Sequence, residues 1–198
     1  MRNLIISRVP TSNAYFEKIK MEVFDWGMNA ALLSGLHTDV NKARLFAKQK
    51  VLEVFDKDPN KQHCFKIDTV ESENVGRAWL TDKRVPGIND AELRLCYIKI
   101  DEMHQRKKMG REAISLLEDY GCQNGFNTMS LNVFSHLDHA TNLYIAMGFK
   151  VAEQIKVEDK IVATEMRKPI PPRYINSPNC KLPIKFWRCS KQGNTLAS

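Results

Sequence analysis

The stretch that decides the fold runs from residue 131 to residue 150 and reads Leu131-Asn132-Val133-Phe134-Ser135-His136-Leu137-Asp138-His139-Ala140-Thr141-Asn142-Leu143-Tyr144-Ile145-Ala146-Met147-Gly148-Phe149-Lys150. Apolar and polar residues alternate up to Phe134, which predicts a strand over 128–134. Asp138 can cap a short helix that continues to Met147, and Gly148 then stops it. The next strand is predicted to start at Phe149. The stretch therefore indicates a strand–helix–strand unit of an α/β protein.

The same arrangement precedes this stretch. Residues 91–100 form a long predicted strand, and a helical pattern follows from Arg111 until Gly125. Strands that are joined through helices lie parallel, with right-handed crossovers. Two further strands, over 149–152 and 161–166, are predicted near the end of the pattern.

Two helices and a strand pair are predicted in the first half of the chain. Thr11 or Ser12 caps the first helix and Thr38 the second, which ends at an Asp-Pro-Asn turn. Strands over 63–68 and 75–81 follow and are joined by a short polar turn, so we expect them to be antiparallel. The predicted fold class is thus α/β, with one mixed sheet between helices.

The distribution of charge divides the chain in two. It has 198 residues and a formal net charge of +7. Five of the positive charges lie in residues 169–198, which contain no acidic residue, so residues 1–168 carry only +2. We expect one domain over 1–168 and a basic tail with several prolines over 169–198.

Cysteine usage and hydropathy indicate the compartment. The chain has five cysteines, an odd number, and no Cys-x-x-Cys pair, which favours reduced thiols over a disulfide framework or a zinc site. No run of about 18 apolar residues occurs, and the apolar run at 4–6 is too short for a signal peptide. His136 and His139 have no third ligand nearby in sequence. We therefore expect a cytoplasmic protein without a membrane span or a metal.

A basic turn joins the strand that ends at Ile100 to the helix that starts near Arg111. Unpaired amides at a helix N-terminus and the helix dipole favour an anion. Four cations surround this turn, namely Arg106, Lys107, Lys108 and Arg111. The turn fits a pyrophosphate, although a solvated basic loop explains the same residues.

Two segments together resemble the GNAT acyltransferase superfamily over residues 12–168. The family's phosphate-binding motif, Gln/Arg-x-x-Gly-x-Gly/Ala, falls on 105–110, where Gly110 matches and Lys108 replaces the inner glycine. The quoted stretch is similar to the family's Asn-x-x-Ala-x-x-Leu-Tyr-x-x-x-Gly-Phe, with Leu137 in place of the asparagine. The matching residues are Ala140, Leu143, Tyr144, Gly148 and Phe149. Bacterial members with Leu-x-Val-Phe-Gly-His-Asn before the last helix are particularly similar.

The resemblance implies a mostly antiparallel sheet in which two parallel strands splay apart and hold acetyl-coenzyme A. The pantetheine would pair with the backbone at the end of the first of these strands, at Ile98, Lys99 and Ile100. The pyrophosphate would lie on the turn amides. Those residues are Gln105, Arg106, Lys107, Lys108, Met109, Gly110 and Arg111.

The implied reaction is direct attack of a primary amine on the thioester, without a metal. Tyr144 occupies the family's general-acid position, and packing as an ordinary aromatic is the alternative. Glu92 is a candidate base, because histone-acetylating relatives have a glutamate on this strand, at the position of Arg94. A period of two places Glu92 on the same face as Arg94, together with Cys96, Ile98 and Ile100. A surface carboxylate or an ion pair is the favoured alternative for Glu92.

The acceptor side is less defined by the sequence. Asn132 lies where some relatives that modify protein N-termini have a glutamate, so it is a candidate substrate-binding residue. The two N-terminal helices form the acceptor wall in this family. Their residues Trp26, Met28 and Phe46 belong either to the core or to the pocket.

Alternatives and partners stay open. Lys108 and Leu137 also fit an acyl-coenzyme A binding module without catalysis. The cations and aromatics of 181–188 in the tail fit an acidic partner, or an arm packed on the domain; nucleic acid is not the expected partner. We expect a small-molecule or peptide amine as the acceptor, and a homodimer is left open.

Overall fold

The computed structural model describes residues 4–171 except Pro86, Asn89 and Arg106. Its helices are α1 (Ala14–Leu33), α2 (Val40–Ala47), α3 (Glu53–Lys57), α4 (Met109–Gln123) and α5 (Asp138–Ala146). Its strands are β1 (Leu4–Val9), β2 (Gln62–Thr69), β3 (Gly76–Asp82), β4 (Glu92–Ile100), β5 (Thr128–Phe134), β6 (Lys150–Val157) and β7 (Lys160–Pro169). A π-helical turn spans Lys48–Leu52, and short 3-10 turns span Pro59–Lys61 and Glu102–His104.

The strands form one mixed sheet in the order β1-β2-β3-β4-β5-β7-β6. The pair β4–β5 is parallel, and each of the other neighbouring pairs is antiparallel. The connection from β4 to β5 runs through α4, as a parallel pair requires. The predicted α/β class, with a mostly antiparallel sheet and a parallel pair in its middle, is confirmed.

The sequence analysis missed a strand at the N-terminus, before the first predicted helix. The apolar run there forms the edge strand β1, which pairs antiparallel with β2 from Leu4 opposite Thr69 to Val9 opposite Cys64. Only the two end residues of β1 are buried. Because a strand of this kind shows no clear alternation of apolar and polar residues, its sequence does not distinguish it from a loop.

The helix starts differ from the prediction by one residue or two. Asn13 caps α1 by accepting a hydrogen bond from the Tyr15 amide, in place of Thr11 or Ser12. Asp39 caps α2 by accepting from the Lys42 amide, in place of Thr38. Asn and Asp are at least as effective as Ser and Thr at this position, so neighbouring candidates are hard to separate by sequence.

The second predicted helix consists of α2, the π-helical turn and α3. Its buried residues Ala43, Ala47, Val51 and Phe55 recur every fourth position. A strict four-residue repeat is longer than the 3.6-residue turn of an α-helix, so the apolar stripe drifts around an ideal helix. The wider π turn reduces that drift and keeps the stripe buried along its length.

The sheet separates two apolar cores. One core, which we call the α4 core, lies on the side of α4 and α5 and includes Leu95, Leu117 and Leu131. The other, which we call the α1 core, lies on the side of α1 and α3 and includes Ile19 and Phe55. Helices therefore cover the sheet on both faces.

A β-bulge in β4 changes which side chains share a face. Trp79 lies opposite Tyr97 and Leu80 lies opposite Leu95, so Cys96 is an extra residue in β4. Leu95 and Ile98 both pack in the α4 core, whereas Cys96 and Tyr97 pack in the α1 core. The prediction that Glu92 shares one face with Ile98 and Ile100 was therefore wrong, because the bulge interrupts the period of two.

The folded unit extends past the predicted boundary at Lys168. Strand β7 includes Pro169, and Ile170 is buried in the α4 core, where its amide donates to the Asn127 carbonyl at 2.7 Å. The predictions for 172–198, including the basic aromatic segment 181–188, lie outside the described residues. Across the described part of the chain, no helix is long and apolar enough to cross a membrane.

Candidate active site

The parallel strands β4 and β5 separate at the middle of the sheet. They pair over four positions, from Glu92 opposite Thr128 to Leu95 opposite Leu131. Beyond Leu95, β4 continues beside β3, and β5 continues beside β7. The bulge at Cys96 marks the point of separation. Residues 96–100 thus present a backbone edge that is not paired with β5, and an extended ligand with amide groups could pair there as a substitute strand.

A cavity of about 430 Å³ occupies this opening. Its size lies within the range of about 300–1,000 Å³ that is typical of small-molecule sites. The lining residues come from α1, β4, the turn after β4, β5 and α5 with its preceding loop: Trp26, Leu95, Cys96, Tyr97, Ile98, Gln105, Asn132, Val133, His136, Leu137, Asp138, His139, Ala140 and Tyr144.

Tyr144 projects from α5 into this cavity. Its side chain is buried, with 9% exposure, and its ring packs edge-on against Phe149 at a centroid distance of 5.6 Å. Burial raises the pKa of Tyr144 to about 12. The hydroxyl therefore stays protonated at neutral pH. It has no hydrogen-bond partner among the residues that the structure describes, so it can donate to a ligand.

The turn between β4 and α4 contains a lysine in a backbone conformation that is typical of glycine. Lys108, at the N-cap of α4, adopts φ = 62°, the left-handed conformation that glycine takes most easily. Gln105 ties the turn to β4, because its side-chain amide donates to the Ile100 carbonyl at 2.8 Å. A Cβ built on Gly110 meets only Leu143, at 3.8 Å, so the protein itself leaves room beside this glycine.

The charge of this turn faces solvent. Lys107, Lys108 and Arg111 are all exposed, next to the amides at the start of the 15-residue helix α4. Arg106 is not among the described residues. The described cations and the helix N-terminus together fit a polyanionic ligand such as a pyrophosphate.

A family comparison identifies this architecture. Residues 40–170 match the model of the GNAT acetyltransferase domain. The chain belongs to the GNAT acetyltransferase family. The match covers all elements from α2 to β7 and leaves out β1 and α1. A comparison with curated proteins found no match.

Solved structures show the same GNAT fold at low sequence identity. YycN from Bacillus subtilis, a protein assigned to the acetyltransferases, has a TM-score of 0.67 at 19% identity, over 79% of this chain and 98% of that chain. A protein from Klebsiella pneumoniae assigned as an acyl-CoA N-acyltransferase has a TM-score of 0.56 at 18% identity, over 84% and 97%. Spermidine N-acetyltransferase from Vibrio cholerae, solved with CoA and spermine, has a TM-score of 0.55 at 16% identity, over 84% and 95%.

The GNAT site brings together only part of the set predicted from sequence. Tyr144, Asn132, Ile98 and Gln105 line the cavity. Lys107, Lys108, Met109, Gly110 and Arg111 lie at the turn and the start of α4. Ile100 is buried in the α4 core. Lys99 is directed to the opposite side of the sheet, where its ammonium lies 3.3 Å from the Glu22 carboxylate on α1.

Glu92 lies where the two strands are still paired, outside the residues that line the cavity. Its carboxylate accepts a hydrogen bond from the Ser130 hydroxyl at 2.6 Å. Arg94 lies 3.4 Å from it and Arg167 lies 3.6 Å from it. These contacts hold Glu92 in a partly buried ion-pair network that spans β4, β5 and β7.

Sequence reasoning did not assign several cavity residues to the site. His136, Asp138 and His139 lie within the quoted stretch, directly after the end of β5, where loop residues commonly carry function. Tyr97 became a lining residue through the bulge. The sequence analysis did not decide whether Trp26 belongs to the core or to the pocket. It belongs to both, because it packs against the α1 core and lines the cavity.

The described residues contain no group of three His, Cys, Asp or Glu side chains that could hold a metal ion.

Proposed function

We propose that this chain is an N-acetyltransferase that transfers an acetyl group from acetyl-coenzyme A to a primary amine by direct attack. The observation that carries the proposal is the cavity at the strand separation, with Tyr144 inside it and the exposed cations of the α4 turn nearby. Acetyl-coenzyme A supplies an activated thioester. Membership of the GNAT family supports acetyl transfer in general, and the acceptor and the residue roles are our proposal.

The described residues fit coenzyme A at both ends. The unpaired edge of β4 at Ile98–Ile100 can bond the amides of the pantetheine arm. The pyrophosphate would lie on the amides of residues 105–111, with the charges of Lys107, Lys108 and Arg111 beside it. Gly110 leaves space for its close approach, since no protein atom crowds a Cβ at that position.

Tyr144 would act as the general acid. The amine nitrogen forms a bond to the carbonyl carbon, and the carbon–sulfur bond breaks with its electron pair on sulfur. The Tyr144 hydroxyl gives its proton to that sulfur and regains one from solvent. Burial keeps the hydroxyl protonated at neutral pH, so it is available as a donor to the developing thiolate.

His136 is our preferred acceptor for the proton that the amine loses. It lines the cavity directly after β5, and burial lowers the pKa of its imidazole, which is therefore mostly neutral at neutral pH and able to take a proton. Glu92 remains the competing prediction, with its carboxylate already bound to Ser130 and close to two arginines. Matched variants, His136→Gln and Glu92→Gln, separate the two roles.

The test combines binding and turnover. Calorimetry should show coenzyme A binding to the full chain, and thiol release from acetyl-coenzyme A should depend on an added amine. His136→Gln should lower turnover while Glu92→Gln retains it; the reverse result assigns the base to Glu92. Binding without turnover for any amine in a broad panel would instead favour a non-catalytic acyl-coenzyme A binding module.

We also infer a cytoplasmic homodimer. The described cysteines Cys64 and Cys96 are free thiols, which suits a reducing compartment. Strand β6 is an edge strand, almost entirely exposed, whose backbone is open to pairing with a second copy. A spermidine N-acetyltransferase from Vibrio cholerae, similar in fold, forms a dodecamer. Light scattering of the purified chain measures the oligomeric state directly.

A further inference from the structure

Helix α1 contributes one residue, Trp26, to the lining of the cavity. Its indole packs edge-on against Tyr97 at 5.4 Å and against Phe134 at 5.7 Å between ring centroids. Phe134 also stacks on His136, at 6.1 Å. We call Trp26, Tyr97, Phe134 and His136 the aromatic wall; three of its members line the cavity, and Phe134 supports two of them.

The position of Trp26 is fixed by contacts one helical turn earlier. The Glu22 carboxylate on α1 accepts two hydrogen bonds from the Arg77 guanidinium on β3. The Tyr97 hydroxyl donates to the same carboxylate at 3.3 Å, and the Lys99 ammonium lies 3.3 Å away. Because Glu22 and Trp26 are four residues apart, they lie on one face of α1. The helix is thus held to β3 and β4 at the point from which Trp26 projects.

Besides the aromatic wall, the lining of the cavity contains few charged side chains. Among its lining residues, all of them within the described part of the chain, Asp138 is the one carboxylate, and none is a lysine or an arginine. One carboxylate matches one ammonium group. A polyamine would bring two or more further positive charges, for which the lining offers no partner.

We propose that the acceptor is a monoamine whose amino group is attached to a flat apolar group, which packs on Trp26. The proposal rests on the proposed acetyltransferase function and names the class of its acceptor. Aromatic side chains bind such groups through burial of apolar area and edge-to-face contacts. The amine would lie between this wall and Tyr144, with Asp138 as its counter-charge before it loses a proton.

The experiment compares amines and variants of the full chain. The amines are 2-phenylethylamine, n-propylamine and spermidine. The variants are Trp26→Ala, Trp26→Phe and, as a control on the same helix, Leu33→Ala, because Leu33 is 71% exposed and does not line the cavity. The readouts are kcat and KM for each amine and the affinity for coenzyme A, which also reports whether each variant is folded.

The native chain should use 2-phenylethylamine with the highest kcat/KM of the three amines. Trp26→Ala should reduce that kcat/KM about tenfold, equivalent to about 1.4 kcal/mol, mainly through KM. Trp26→Phe should retain most of it, and Leu33→Ala all of it. The affinity for coenzyme A should stay within about twofold in every variant, and Trp26→Ala should lower the kcat/KM for n-propylamine less than the kcat/KM for 2-phenylethylamine.

A preference for spermidine, or an equal loss of all three amines in Trp26→Ala at unchanged coenzyme A affinity, overturns this inference and leaves the acetyltransferase function standing. Failure of all three amines to support thiol release leads to the broader panel described above. Selectivity for a polyamine or for a small aliphatic amine in that panel also overturns it, and absence of turnover with every amine ends the proposed function itself.

Discussion

Tyr144 is the side chain on which the proposed chemistry depends most directly. Tyr144→Phe keeps the ring and its contact with Phe149 and removes the hydroxyl. We expect kcat to fall about 100-fold, the usual contribution of a general acid, with the coenzyme A affinity unchanged. Because burial raises the pKa of Tyr144 to about 12, the hydroxyl is protonated from pH 6 to 9, and the loss should be similar across that range.

The matched control is Tyr120→Phe. Tyr120 is another buried tyrosine, whose hydroxyl lies 3.1 Å from Nδ1 of His63 and which does not line the cavity. This variant should lose some stability and retain its kcat. A Tyr144→Phe protein with native turnover would remove the acid role and leave Tyr144 as a packing residue.

Lys108 shows how far a single residue could be interpreted from the sequence. The motif match places a lysine where the family has a glycine, which leaves open whether the turn is distorted. The structure keeps the turn and puts Lys108 in the left-handed conformation, with its side chain in solvent. This conformation costs a non-glycine residue about 1–2 kcal/mol. Lys108 thus takes a conformation that is typical of glycine and adds one exposed charge to the turn.

At the scale of elements, the sequence predicts well where the periodicity is strong. The segments β4, α4, β5 and α5 have long regular patterns, and they carry the proposed acid and the phosphate turn. The bulge at Cys96 has no such signal, because one extra residue changes neither composition nor length noticeably. It decides that Tyr97, and not Ile98, faces α1, so the acceptor side of the cavity could not be assembled from sequence alone.

Substitution of two helical glycines by alanine should change the stability of the protein in opposite directions. A Cβ on Gly27 of α1 would make ordinary contacts, the nearest to Val51 at 3.6 Å. A Cβ on Gly121 of α4 would lie 2.9 Å from Ile170 and 3.2 Å from Leu93, both buried. Gly27→Ala should stabilise the protein by about 1 kcal/mol through helix propensity, whereas Gly121→Ala should destabilise it by about 1–2 kcal/mol through overpacking.

Thermal and urea unfolding of both variants measure these changes. The pair also tests whether Ile170 belongs to the fold, beyond the predicted boundary at Lys168. If Ile170→Ala, combined with Gly121→Ala, relieves the crowding, the two changes will be less destabilising together than the sum of each alone. Equal stabilisation by the two alanines would show that the packing around Gly121 is loose.

At the scale of the whole molecule, one buried histidine links the sheet to the core on the side of α4. The α4 core is almost purely apolar, and it includes Tyr120, which contacts the buried imidazole of His63 on β2. His63 is 94% buried, and its Nε2 has no hydrogen-bond partner in the described residues. Burial, reinforced by the nearby Arg8, lowers the pKa of His63 to about 4.

This histidine makes the stability of the fold depend on pH. The unfolded chain binds a proton at His63 below about pH 6.5, and the native protein resists protonation until about pH 4. The contribution of neutral His63 is therefore complete above pH 6.5 and is lost as the pH falls to about 4. With about 1.4 kcal/mol per pH unit, the free energy of unfolding should drop by up to about 3 kcal/mol from this residue.

The measurement is urea unfolding at several pH values between 4 and 7, for the native chain, for His63→Gln and for the exposed control His139→Gln. Acidic residues also contribute to the pH dependence, but their contribution is common to all three proteins, so the difference between the curves isolates each histidine. His63→Gln should flatten the curve between pH 6.5 and 4, because it removes the proton that only the unfolded state accepts, and His139→Gln should leave it unchanged. Parallel curves for the native chain and His63→Gln would mean that the native protein admits a proton at His63 at its ordinary pKa, through local opening of β2 and α4.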